Sequence, residues 1–230
     1  MIGIIGAMQV EVENIRSVMT DVHTEDVSQI TFYVGKISGK DAVVAKCGIG
    51  KVFAAVCAEI MILRFKTDVI VNIGVAGTLS DKLNTTDVAV AKSVVHHDLD
   101  TSPLGDPVGL ISGINIINID CDPYVSSLLE KCVKKLGINC ESGVIASGDQ
   151  FVCTSERKDF IRKNFNAIAC EMEGASIGHV CYINGVKFGV LRAISDGADE
   201  KSHMDYDKFV TLAAKNSYEV IKLFIKEYEV

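Results

Sequence analysis

The chain has 230 residues, enough for one large α/β domain or two small ones, and 48% of them are apolar, so a sizeable core is available and disorder is excluded. A net charge of −7, with no run of Lys or Arg longer than two residues, excludes a nucleic-acid polymer as partner, because phosphate-backbone affinity comes from clustered cations. An uncharged nucleoside remains compatible with that charge.

In chain order, residues 2–8 read as a buried strand, and 31–37 with 41–46 as the arms of a hairpin turning at Ser38-Gly39. Lys51–Phe65 carries Val52, Val56, Ile60 and Leu63 at helical spacing. Strands follow at 69–75 and 88–95. Residues 99–115, with two Pro and three Gly, form the only long irregular stretch, a length that suits a functional or interface loop. A helix over 123–136 starts with Asp122 as N-cap and Pro123 at its first position. The spacing then predicts a strand at 143–146, a helix at 154–164, and strands at 167–171 and 187–194. The last helix, 206–228, gathers Phe209, Val210, Ala213, Val220, Ile221 and Phe224 into one core-facing stripe. Strands alternate with helices throughout, which predicts one α/β domain over residues 1–230, three-layered (αβα) about a central mixed, mostly parallel sheet.

The eight cysteines form no C-x-x-C pair, and several sit inside apolar runs, so they read as buried free thiols of a protein in a reducing cytoplasm. The N-terminus lacks a basic signal-peptide region, and no apolar stretch approaches the ~20 residues that cross a bilayer. Neither a cofactor nor a metal is expected. Gly48-Ile49-Gly50-Lys51 lacks the earlier glycine and the Ser/Thr of a phosphate-binding loop. Gly3-Ile4-Ile5-Gly6 fails the dinucleotide spacing, and Ala146-Ser147-Gly148 lacks the first glycine of a nucleophile elbow. His96-His97-Asp98 looks metal-like, but adjacent strand residues point to opposite faces.

Three apolar runs lead to carboxylates: 2–8 to Glu11, 167–170 to Glu173, and 188–194 to Asp196. Ligands of open α/β sheets bind at the carboxyl ends of the strands, so acids gathered there suit chemistry that moves protons and holds hydroxyls. Around them, Gly6-Ala7-Met8-x-x-Glu11, Asn72-x-Gly74-x-Ala76-Gly77, Ser147-Gly148-Asp149-x-Phe151, Glu171-Met172-Glu173 and Arg192-Ala193-Ile194-Ser195-Asp196 occur in that order. The set resembles the 5′-methylthioadenosine/S-adenosylhomocysteine nucleosidases of the purine nucleoside phosphorylase-like superfamily, and the resemblance spans essentially the whole chain.

The resemblance implies hydrolysis of the N-glycosidic bond to adenine, with water as co-substrate and a homodimer as the assembly. Asp196 would protonate the leaving base, Glu11 would take a proton from the attacking water, and Glu173 would accept hydrogen bonds from the ribose hydroxyls. Phe151 would stack on adenine and the Val152 backbone would read the purine edge. Met8, Met172 and Tyr206 would surround the ribose and thioether, with Gly77 and Glu171 in the same site. Ser195 and Arg192 would orient Asp196 and the site near the base. The 99–115 loop would reach towards a neighbouring subunit. Two positions depart from the pattern: Val75 stands where many relatives carry serine, and Thr78 where they tend to carry glycine. A phosphorylase on the same fold, a nucleosidase for a futalosine-type nucleoside and a non-catalytic nucleoside-binding protein are the alternatives.

Overall fold

The computed structural model describes residues 1–229. Ten strands and six helices lie among them. The strands are β1 (Ile2–Gly6), β2 (Thr20–Val27), β3 (Ile30–Ile37), β4 (Lys40–Lys46), β5 (Val69–Thr78), β6 (Val88–His96), β7 (Ile119–Asp120), β8 (Cys140–Ser147), β9 (Ala167–Glu171) and β10 (Lys187–Asp196). The helices are α1 (Gln9–Ser17), α2 (Lys51–Phe65), α3 (Pro123–Lys135), α4 (Ser155–Phe165), α5 (Gly174–Asn184) and α6 (Ser202–Glu227).

One mixed sheet organises the chain. β1 lies in parallel between β4 and β5, while β10 runs parallel to β5 and antiparallel to β6. β6, β8 and β9 continue in parallel, and β9 returns to pair with the far end of β5 through Gly77 and Thr78. β5, β10, β6, β8 and β9 therefore close on one another, and the carboxyl ends of β5, β9 and β10 converge at one rim. All ten residues of β5 are buried, as a central strand covered on both faces requires.

Helices cover both faces. Phe32, Met61, Ile70, Ile177 and Phe188 belong to the core under α2 and α5; Ile15, Val71, Leu129, Leu191 and Phe224 belong to the core under α1, α3 and α6. A smaller core gathers Leu79, Val95, Ile161 and Phe165 under α4. Of the α6 stripe, Ala213, Val220, Ile221 and Phe224 are buried, and Phe209 and Val210 are half-buried. The C-terminus of α6 is fastened by Lys40, whose ammonium donates to the carbonyls of Ile225 (2.8 Å), Lys226 (3.1 Å) and Tyr228. A cation there satisfies orphan carbonyls and complements the helix dipole.

The β3–β4 hairpin turns at Ser38 and Gly39, both at positive φ (52° and 80°), the I′ geometry that matches strand twist. Four elements are absent from the sequence reading, one of them the two-residue strand β7, which pairs with β6. β2 is a polar, largely exposed edge strand without apolar alternation. α1 is short and buries only Glu11, Val12 and Ile15. α5 is buried over most of its length, and its small residues give no helical period. The 99–115 stretch holds a single 3₁₀ turn, Ser102–Leu104, and an isolated bridge between Ile111 and Ile116.

Candidate active site

Glu11 is the third residue of α1 and is 1% exposed. Its Oε2 accepts from the backbone N–H of Ala7 (2.7 Å) and Met8 (2.8 Å), and its Oε1 from that of Val75 (3.2 Å). The carboxylate thus caps its own helix and ties the β1–α1 turn to β5. Burial pushes its pKa above the usual range, against the opposing pull of Arg192 and the three N–H donors.

Glu171 and Glu173 lie just before the first turn of α5, Glu171 ending β9 and Glu173 at the N-cap position. Both oxygens of Glu171 are spent inside the protein. They accept from the N–H of Gly174 (3.0 and 2.8 Å) and of Glu173 (2.9 Å), from the Ser147 hydroxyl, and from the Arg192 guanidinium. An anion at a helix N-terminus is stabilised in this way. Glu173 is freer: Oε1 accepts from Gly50 N (2.9 Å), and Oε2 lies 3.4 Å from Arg192 Nη2. Burial pushes Glu173 up to about 7, helped by the neighbouring Glu171 and Glu11 carboxylates and opposed by Arg192. The glycine turn that mimicked a phosphate loop therefore delivers an N–H to a carboxylate.

Arg192 sits elsewhere than expected. Its Nη2 donates to Asn72 Oδ1 and to Glu171 and Glu173, and the side chain is 1% exposed. It neutralises the Glu171–Glu173 side of the site rather than orienting Asp196. The reason is strand register: Arg192 pairs with Gly74, well below the β10 terminus where Asp196 lies.

Asp196 owes its position to a bulge. In the β10–β5 ladder Ile194 faces Ala76, but Asp196 faces Gly77, the slot that Ser195 would occupy in a regular strand. Bulges re-aim side chains in this way. Asp196 Oδ2 accepts from the Ser195 hydroxyl (2.8 Å) and Oδ1 from Ala198 N (2.9 Å). Opposite, Gly77 leaves the necessary room, since a Cβ there would come within 2.8 Å of Asp196 Oδ1 and 2.9 Å of the Ala198 Cβ.

These groups line a cavity of about 310 Å³, at the lower end of small-molecule sites. Glu11, Glu173 and Asp196 share it with Met8, Gly77, Phe151, Val152, Met172, Ser195 and Tyr206. Phe151 is 47% exposed at the mouth, and its ring meets Tyr206 edge-on at 5.8 Å. The Tyr206 hydroxyl reaches the Met8 sulfur at 3.0 Å, so α6 and the β1–α1 turn close the opposite side. Val75 is also in the wall, and its backbone N–H holds Glu11 whatever its side chain.

Sequence reasoning missed Ala7, Ile49, Ala76, Gln150 and Cys170 in this wall. Cys170 had a signal, as the residue before Glu171 at the end of an apolar run; its thiol donates to Gly77 O at 3.7 Å. Ile49 and Gln150 lie on loops and carried none. The His96-His97-Asp98 segment acts as a brace. Asp98 accepts from Lys51 Nζ (2.6 Å) and Asp149 N (2.9 Å), which steadies the loop carrying Phe151. Burial, together with nearby cations, lowers both histidines to about 4, so they are neutral near pH 7. Arg157 donates to His97 Nδ1 at 2.9 Å.

The phosphorylase superfamily model matches residues 1–226. A 5′-methylthioadenosine/S-adenosylhomocysteine nucleosidase of Shewanella oneidensis is 35% identical over 99% of this chain and 97% of its own. The crystal structure of a nucleosidase of the same name from Neisseria meningitidis, in complex with methylthio-immucillin-A, superposes with a TM-score of 0.96 at 34% identity, covering 99% of both chains. A futalosine hydrolase of Helicobacter pylori gives a TM-score of 0.95 at 38% identity, covering 99% of this chain and 97% of that one. With the fold, the rim of acids and full-length similarity in agreement, the chain belongs to the phosphorylase superfamily and, within it, to the 5′-methylthioadenosine/S-adenosylhomocysteine nucleosidases.

Proposed function

We propose that the pocket hydrolyses the N-glycosidic bond of 5′-methylthioadenosine and S-adenosylhomocysteine, releasing adenine and the 5-thio-substituted ribose. The observation that carries this is the separation of two acids along β5. Glu11 is anchored at Val75 and Asp196 opposite Gly77, two residues apart, or roughly 7 Å at the rise of a strand. The two side chains thus enter the cavity wall from separate anchor points, an arrangement that gives an acid and a base different approaches to a bound sugar and water.

In this reading Asp196 gives its proton to the purine ring as the bond breaks, so adenine leaves neutral. Glu11 takes a proton from water, and Glu173 holds the 2′- and 3′-hydroxyls and supports the developing positive charge of the ribose. Phe151 covers the base with the Val152 backbone at its edge, and Met8, Met172 and Tyr206 face the apolar 5′ end. Glu171 and Arg192 act as the frame that fixes Glu173. Phosphorolysis is disfavoured by the turn itself. The Ala7 and Met8 N–H groups, donors of the kind that bind anions at helix N-termini, are already taken by Glu11, whose charge would repel phosphate.

The test is incubation with methylthioadenosine and with S-adenosylhomocysteine, with and without inorganic phosphate, followed by analysis of base and sugar. Adenine and free thio-ribose in both conditions are expected. Sugar 1-phosphate formed only with phosphate would replace the hydrolase by a phosphorylase, and no turnover would leave a binding protein.

Glu173 gives the reaction a pH signature. The ionised carboxylate is the better acceptor for two hydroxyls, and in the empty site it is pushed up to about 7. Since kcat/KM reports the free enzyme, it is expected to fall as pH drops below about 7. Glu173→Gln removes that inflection as well as most of the affinity. An unchanged inflection in the variant would move it to another group.

The working unit is proposed as a single-domain homodimer in a reducing cytoplasm. All eight cysteines are unpaired, and no helix among the described residues is long and apolar enough to cross a membrane. Val52 (74% exposed), Phe53, Leu63, Tyr182 and Ile183 leave an apolar face on the packed pair α2 and α5, the kind of patch that marks an interface. Light scattering is expected to give twice the 24.8 kDa chain mass; a monomer would reject the dimer.

A further inference from the structure

Lys158 lies outside the pocket wall, on the second turn of α4, yet it is bonded to the peptide unit that holds Asp196. Its ammonium donates to the Gly197 carbonyl at 2.7 Å. The N–H of that same peptide unit belongs to Ala198, and it donates to Asp196 Oδ1 at 2.9 Å. The peptide thus stands between a cation at its oxygen end and a carboxylate at its hydrogen end. Both charges align its dipole, and each hydrogen bond polarises the group for the other.

The unit needs such support. Ala198 has φ of 51° and is fully buried, a left-handed conformation uncommon for a residue with a Cβ. Rotation of the Gly197–Ala198 peptide plane would relieve it, and glycine on the near side offers little resistance. That rotation would withdraw the N–H from Asp196 and leave the carboxyl held by Ser195 alone. A second tie between α4 and this loop, Ser155 N and Oγ to Glu200 (both 2.9 Å), fastens the loop but not the peptide plane.

We propose that Lys158 is a positioning residue for Asp196, acting through the Gly197–Ala198 peptide to fix the carboxyl in the orientation that delivers its proton. The assignment rests on the reading of Asp196 as general acid. Lys158→Met keeps the aliphatic stem and removes the donor. In the full-length protein with methylthioadenosine, it lowers kcat by about tenfold, a part of the 10²–10⁴ that a general acid supplies. KM stays within about twofold, because ground-state binding does not draw on the proton. Lys158→Arg, which retains charge and donor, restores most of kcat. Glu200→Ala, which cuts only the other tie, costs less than about threefold.

An unchanged kcat in Lys158→Met, a loss confined to KM, no recovery with arginine, or an equal loss in Glu200→Ala would each overturn the assignment, the last by showing that loop tethering is the cause. Asp196→Asn run alongside separates the two claims. If it retains turnover, the general-acid reading fails. If it is inactive while Lys158→Met is normal, only the role of Lys158 falls.

Discussion

Asp196→Asn is expected to lower kcat for methylthioadenosine by about 10³-fold while leaving a cooperative melt near that of the native protein. The substitution is nearly isosteric, and an amide oxygen can accept from the Ser195 hydroxyl or from Ala198 N, the two partners of the native carboxyl. What is lost is the transferable proton. Adenine must then depart as an anion, and nothing else described in the cavity wall near Gly77 replaces the acid: Cys170 is the neighbouring titratable group, and burial pushes its thiol well above the range in which it would exchange protons near pH 7. Steady-state rates paired with thermal melting check the claim. A variant within about tenfold of the native rate would remove Asp196 from the acid role.

The position of Asp196 also shows what could be read from the chain and what could not. The apolar run before it announced a buried strand, and the acid at its end announced a rim. The bulge that turns Asp196 into the slot opposite Gly77 left no trace in the pattern, because it depends on the partner strand. Arg192 was legible as a cation in the same strand, but its partners, Asn72, Glu171 and Glu173, are set by three other elements. Long-range register decides such pairings, and local sequence does not encode it. The hairpin at Ser38-Gly39 was readable for the opposite reason: a turn and its flanking alternation are local. Helix α5 shows a third case. Its residues are small and buried on most sides, so burial erases the period that identifies a half-exposed helix such as α6.

Val75 is the departure that the structure recasts. Where the resemblance leads to the expectation of a serine, this chain presents a branched apolar side chain to the cavity, 8% exposed. The backbone of the same residue donates to Glu11 Oε1, a bond that no side-chain change removes. Glu11 therefore keeps its tie to β5 with valine at this position, and the Val75 side chain bears on the cavity rather than on that bond.

Glu11 itself supplies the second large effect. Glu11→Gln is expected to reduce kcat by about 10³-fold, because an amide cannot accept a proton from water. It also meets a geometric conflict. Both native oxygens accept backbone N–H groups, from Ala7 and Met8 on one side and Val75 on the other, so either orientation of the amide turns its NH₂ towards a donor. A rate loss alone would leave displacement of the β1–α1 turn as an explanation. Glu11→Ala with added azide separates the two. The small anion needs no deprotonation and can attack C1′ from the face vacated by the carboxylate, while Asp196 still protonates adenine as the glycosidic bond breaks. Partial recovery of adenine release with formation of the ribosyl azide is expected for Glu11→Ala, and no azide recovery for Asp196→Asn, whose defect lies at the leaving group. Azide rescue of Asp196→Asn, or its absence in a well-folded Glu11→Ala, would overturn the assignment of Asp196 as acid and Glu11 as base.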